Sequence, residues 1–190
     1  MKNFFPLFFL IFNLGFSSVS EAATKQKNRK VEFISEESIM QAAKELGAFD
    51  HKLVLAVVRI ESGKNRFAYN GKDRDGKGTY GLMQLKLATA KGMGFKGSYS
   101  DLYEWRTNLK YGIRYLNYQY NRYGTVPSAL AAYNAGSVFI CKKGSRRKCT
   151  PGTFVNQGYV RSVLYHYRSI IDLDNKGPRS SLIASETRKK

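Results

Sequence analysis

The stretch from Asp50 to Gly63, DHKLVLAVVRIESG, decides how the rest of the chain has to be arranged. Asp50 suits an N-cap, and Leu53, Val54, Ala56, Val57, Val58 and Ile60 leave no broad polar face, so this helix must be buried. Gly63 ends it, and Glu61 stands one turn after Val57 and Val58 at its C-terminal end. A buried helix needs others around it, and the flanking sequence supplies them. Upstream, Ser35 can cap a helix whose first turn holds Glu36 and Glu37 and whose apolar face is Ile39, Ala42, Ala43 and Leu46, with Gly47 as the stop. Downstream, residues 64–79 carry three glycines and many charges and read as a surface loop or short hairpin.

Further along, Gly81 to Lys91 reads as helix, closed by Gly92 and Gly94, and a connector holding Trp105 follows. A longer helix is expected from Thr107 or Asn108 to about Tyr123, with Leu109, Ile113, Leu116 and Tyr120 in phase and Gly124 as its stop. Tyr111, Tyr115 and Tyr118 keep the helical spacing of core or partly buried positions. Pro127 suits the first turn of a helix through Tyr133 that Gly136 ends, and Val160, Val163, Leu164 and Tyr167 phase a last helix over Tyr159–Ile171. No internal repeat is present. The expected organisation is a mostly α single domain over 33–171 with a small loop or hairpin region, a basic arm over 23–32 and a disordered tail over 172–190.

The 190 residues carry 32 Lys and Arg against 14 Asp and Glu, a formal charge of +18. With 43% hydrophobic residues the chain can build one core, and with two Cys and two His it cannot build a four-ligand zinc finger. The first segment is read as an address: Lys2, a dense apolar run from Phe4 to Phe16, then Ser20-Glu21-Ala22, the pattern of a secretory signal over 1–22. Its apolar run falls short of the ~18 residues of a membrane span. The protein is thus expected to be exported, periplasmic or secreted, without stable membrane insertion after cleavage. In an oxidising compartment Cys141 and Cys149 would close a loop holding Lys142, Lys143, Arg146, Arg147 and Lys148; two free thiols are the alternative.

Glu61 is the leading chemical candidate. Apolar surroundings and the negative end of a helix both disfavour its ionised form, so its pKa should be raised. A carboxylic acid still protonated near neutral pH can protonate a leaving oxygen, the opening step of glycoside cleavage. Taken alone, the position better suits an ordinary glutamate leaving a helix into solvent.

Four short strings change that balance. Glu61-Ser62-Gly63, Gly81-Leu82-Met83-Gln84, Ala132-Tyr133-Asn134-Ala135-Gly136 and Tyr159-Val160 resemble, in order and spacing, the lytic transglycosylase domain of the lysozyme superfamily. The resemblance implies a lysozyme-like, mostly α fold with a cleft, acting on the glycan strands of peptidoglycan without a cofactor or metal. It further implies cleavage of the β-1,4 bond between N-acetylmuramic acid and N-acetylglucosamine, ending in a 1,6-anhydro sugar. In it Glu61 matches the single acid and base, Tyr159 the tyrosine that holds and polarises that acid, and Gln84 a cleft residue bonding the glycan. Met83 and the Gly81 backbone would shape the wall, Asn134 would contact an acetamido group, and Tyr133 belongs to the same motif. Ser62 would bond the Glu61 carboxyl or merely cap the helix end.

Departures from that pattern matter. Lys86 and Leu87 stand where many members have Met and Pro, and a cation there could meet a substrate carboxylate. Hydrolysis would need a second carboxylate, ~6.5–9.5 Å from the acid in an inverting mechanism. Asp73 and Asp75 precede the second motif, and Asp75 to Gly81 is similar to goose-type lysozymes, in which Asp75 matches a water-positioning aspartate. Their other aspartate corresponds to Lys86, so a hydrolytic muramidase is the second reading. The spacing of Asp73 and Asp75 does not fit a calcium loop. A third reading, from the charge, is a secreted cationic polyanion-binding protein without catalysis. Nucleic acid is the less expected partner, because outside residues 142–148 the basic residues are scattered and no nucleic-acid-binding signature appears.

Overall fold

The structure is a computed structural model, and it describes residues 31–71, 77–145 and 149–176. The expected signal segment, most of the basic arm, Asp73, Asp75 and the tail beyond Lys176 lie outside the described residues. Six helices and one two-strand hairpin occur among the described residues: α1 (Glu36–Glu45), α2 (His51–Ser62), β1 (Tyr69–Asn70), β2 (Thr79–Tyr80), α3 (Leu87–Gly92), α4 (Trp105–Tyr123), α5 (Val126–Ala135) and α6 (Gln157–Lys176). A single 3-10 turn, Ser100–Tyr103, precedes α4.

Local chemistry sets the ends. Ser35 accepts from Ser38 N at the start of α1, Asp50 accepts from the Lys52 and Leu53 amides at the start of α2, and Thr125 caps α5. Gly63, with φ 58°, closes α2 by donating to Arg59 O. All six residues from Leu53 to Val58 are buried, so α2 is the centre of the core. It packs against α1 and α6, while α4 packs on α5 and α5 on α6. Glu36, in the first turn of α1, bonds both Arg59 (2.6 Å) and Lys64 (2.9 Å). These cations, Arg59 foremost, hold its carboxyl at about 2. The pair pins α1 to the end of α2 that carries Glu61.

Three elements differ from the sequence reading. The Gly81–Lys91 helix is only Leu87–Gly92, because Gly81 (φ +74°) and Gln84 (φ +45°) take left-handed backbone and turn the chain back toward the hairpin. Helix α4 starts at Trp105, since Glu104 rather than Thr107 or Asn108 accepts from the first free amides. Helix α6 runs to Lys176, so residues 172–176 belong to a helix and not to the expected tail; Asp174 pairs with Lys52 of α2 at 2.6 Å and fastens the last turns. The antiparallel hairpin pairs Tyr69 with Tyr80 and Asn70 with Thr79. Cys141 and Cys149 form the disulfide.

Starting α4 earlier puts Asn108 inside the helix, wholly buried. Its Oδ1 accepts from Met83 N at 2.8 Å, and its Nδ2 donates to Tyr80 O at 2.8 Å and Leu102 O at 2.9 Å. A Cβ on Gly81 would fall 2.4 Å from that amide, which explains glycine there. Asn108→Ala strands three buried backbone groups and should cost ~2–4 kcal/mol of unfolding free energy, read by urea denaturation. A loss below ~0.5 kcal/mol would show that the clamp carries no weight.

Candidate active site

Helix α2 delivers Glu61 to the floor of a groove of about 1300 Å³. The carboxyl sits at the penultimate position of a helix whose residues Leu53 to Val58 are buried, and burial lifts its pKa from the ordinary 4.5 to about 7. One bond opposes this rise: Tyr159, from α6, donates its hydroxyl to Glu61 Oε1 at 2.7 Å. Burial, with Glu61 beside it, holds the Tyr159 hydroxyl well above its ordinary value, so it stays a donor. The result is a half-buried acid that titrates in the neutral range and is held in orientation by one phenol.

The second motif shapes the groove from its backbone. Met83 is fully buried and is not among the groove-lining residues, so it supports the wall from the core and does not reach substrate, a correction to its place among the substrate-binding candidates. It packs so tightly on α4 that a Cβ on Gly112 would lie 2.3 Å from its Sδ. The Met83 carbonyl accepts from the Tyr133 hydroxyl at 2.8 Å, tying α5 to the motif. Gln84 lines the groove, yet its amide is committed within the protein. Its Nε2 donates to Ala68 O (3.1 Å) and Gly81 O (2.9 Å), and its Oε1 accepts from Thr79 at 2.7 Å. These bonds stitch the hairpin to the motif and hold Gln84 in its left-handed backbone.

Tyr133 is nearly buried and shows only part of its ring to the groove, in contact with Tyr115 at 5.3 Å between centroids. Asn134 is exposed at the groove, and its Oδ1 accepts from Asn156 Nδ2 at 3.0 Å. Lys86 also lines the groove. Ser62 does not bond the carboxyl: its hydroxyl donates to Val58 O at 3.2 Å and accepts from Lys64 N at 3.1 Å, capping the helix end. Glu61 is the one carboxylate among the described lining residues, and no group of three His, Cys, Asp or Glu among the described residues could hold a metal ion.

Three contributors escaped the sequence reading. Asn156 bonds Ala131 O as well as Asn134, Thr79 orients Gln84, and Tyr115, half-buried as its spacing allowed, also lines the groove. A half-buried asparagine immediately before a helix start carries no distinguishing local pattern. Tyr115 has a helical phase that fits a core and a groove wall equally well.

With this geometry in view, the comparisons with known proteins are specific. Residues 38–152 match the Transglycosylase SLT domain, and the chain belongs to that family. The matched range holds Glu61, Gln84 and Asn134; Tyr159 lies beyond it. The protein is 36% identical over 103 residues to a "Transglycosylase" of Enterobacteria phage PRD1, covering 54% of this chain and 35% of that relative, so the chain spans about a third of its length. Among solved structures it is similar to an inactive Glu-to-Gln mutant of the lytic transglycosylase Slt from Pseudomonas aeruginosa. There the TM-score is 0.56 at 26% identity, over 75% of this chain and 24% of that one. It shares its fold with the 70-kDa soluble lytic transglycosylase solved with bulgecin A, with TM-score 0.52, 21% identity, and coverage of 71% of this chain and 24% of that one. The mostly α, lysozyme-like class expected from the motifs is therefore the observed one.

Glu61 has a thermodynamic consequence of its own. An acid with a higher pKa in the folded chain binds more protons when folded, so stability falls as pH rises from about 4.5 to about 7 and is level above that. Glu61→Gln removes the dependence. By urea denaturation the variant should match the parent near pH 4.5 and exceed it at pH 8 by on the order of 2 kcal/mol. A variant less stable than the parent at pH 8 contradicts burial of the carboxyl.

Proposed function

We propose that this protein is an exported peptidoglycan lytic transglycosylase that cuts the β-1,4 bond between N-acetylmuramic acid and N-acetylglucosamine, with Glu61 as the sole acid and base. The observation that carries the reading is the one carboxyl among the described residues lining a groove of about 1300 Å³, raised to about 7 by burial and held by Tyr159. The neutral Glu61 protonates the glycosidic oxygen as the C1–O bond of the muramic residue breaks. The N-acetylglucosamine portion leaves as an alcohol, and positive charge develops at C1. The resulting Glu61 carboxylate, stabilised by the Tyr159 hydroxyl, then takes the proton of the same sugar's 6-hydroxyl, whose oxygen closes on C1. A 1,6-anhydro product forms, Glu61 is neutral again, and no water is consumed.

Membership of the SLT family and the inactive Glu-to-Gln mutant of the Pseudomonas aeruginosa relative support this assignment. Asn134 fits the recognition of an acetamido group, because Asn156 occupies its Oδ1 and its NH2 is the donor at the groove. Lys86 stands where hydrolytic relatives would carry an aspartate, which favours the lytic over the hydrolytic outcome.

Purified sacculi digested with the wild-type protein should release muropeptides with 1,6-anhydro ends by mass spectrometry. Glu61→Gln should lose at least 10³-fold in turnover while still sedimenting with sacculi. Reducing ends in place of anhydro ends would make the enzyme a muramidase, and turnover by Glu61→Gln within tenfold of wild type would remove Glu61 from the reaction.

A further inference from the structure

Residues 139–145 line the same groove as Glu61, and acid–base chemistry makes no use of them. They form a braced arm. Cys141 is buried, donates its N–H to Thr153 O at 2.8 Å and is bonded to Cys149. Gly152 N donates to Cys141 O (2.9 Å) and Val155 N to Phe139 O (2.8 Å), so the arm is paired to the segment that leads into α6. From this base Phe139 and Ile140 stand 52% and 47% exposed at the groove, apolar surface that gains by being covered. The exposed Lys142 and Lys143 follow them, and Arg146, Arg147 and Lys148 continue the same disulfide ring in the sequence.

Charge selects the occupant. Glu61 is the one carboxylate among the described lining residues, against Lys86, Lys142 and Lys143, so the described part of this wall carries an excess of positive charge. N-acetylglucosamine is uncharged, and the lactyl carboxyl of N-acetylmuramic acid is an amide wherever a stem peptide is attached; the carboxylates of such a strand are carried by its stem peptides. We propose that the disulfide-closed arm is a binding wall for peptide-bearing glycan strands, with Phe139 and Ile140 covering a sugar face and Lys142 and Lys143 pairing with stem-peptide carboxylates. The assignment rests on the reading of the groove as a peptidoglycan site, and it adds a preference for strands that still carry their peptides.

The test measures binding in the Glu61→Gln background, so it does not depend on turnover. Sedimentation with intact sacculi is compared with sedimentation with glycan strands stripped of peptides by an amidase, which leaves one lactyl carboxylate on each muramic residue in place of the several of a stem peptide. Exposed ion pairs each contribute a factor of a few. Lys142→Ser with Lys143→Ser should therefore reduce the preference for intact over stripped glycan about five- to tenfold, and the difference should fade near 0.5 M salt. Phe139→Ala should weaken binding to both. An unmoved preference overturns the proposal. Loss of DNA binding by the same factor as loss of sacculus binding also overturns it, in favour of a general polyanion patch. Failure of the parent to bind either glycan instead contradicts the reading of the groove itself.

Discussion

A carboxyl group removed from water at the end of a buried helix is the constraint on which the rest of this structure depends. Glu61 can remain protonated near neutral pH only because Leu53 to Val58 fill the core beneath it. The same burial would leave its ionised form badly solvated if Tyr159 did not donate to it. The two effects oppose each other, and burial wins, leaving the pKa at about 7. A group that gives a proton and later takes one back needs this balance, since a lower pKa would leave it no proton to give and a higher one would make it too weak an acid to give it.

The surrounding architecture serves to hold that balance still. Glu36 reaches from α1 to Arg59 and Lys64 on either side of Glu61 in sequence, fixing the helix end. Asn108 grips the backbone of the second motif, Met83 passes the grip to Tyr133, and Tyr133 anchors α5 beside the groove. The motif is thus a framework of buried backbone bonds, with most of its side chains turned to internal duties. Gln84 is the clearest case: a polar residue at the groove whose amide is consumed in holding the hairpin.

Much of this was legible in advance. The apolar run of α2, its Asp50 cap and Gly63 stop, and the place of Glu61 follow from residue spacing and elementary electrostatics. The four motifs then point to the family. What was not legible depended on contacts between distant segments. Met83 was expected at the substrate and lies in the core, because nothing local shows that Gly112 opens a slot for it. Ser62 had two partners within reach, and only the folded helix end shows that the backbone takes it. The Gly81–Lys91 segment has helix-forming composition, but the left-handed turns at Gly81 and Gln84 are fixed by Asn108 and the hairpin. Helix α6 outlasts its apolar periodicity because an ion pair with α2, invisible to any window of sequence, holds its end.

The most direct check is a carbon-13 titration of the Glu61 side-chain carboxyl, assigned by its disappearance in Glu61→Gln. The account predicts an inflection near pH 7. An inflection near 4.5 would mean a solvated carboxylate with no proton to give at neutral pH, and the central claim would fail.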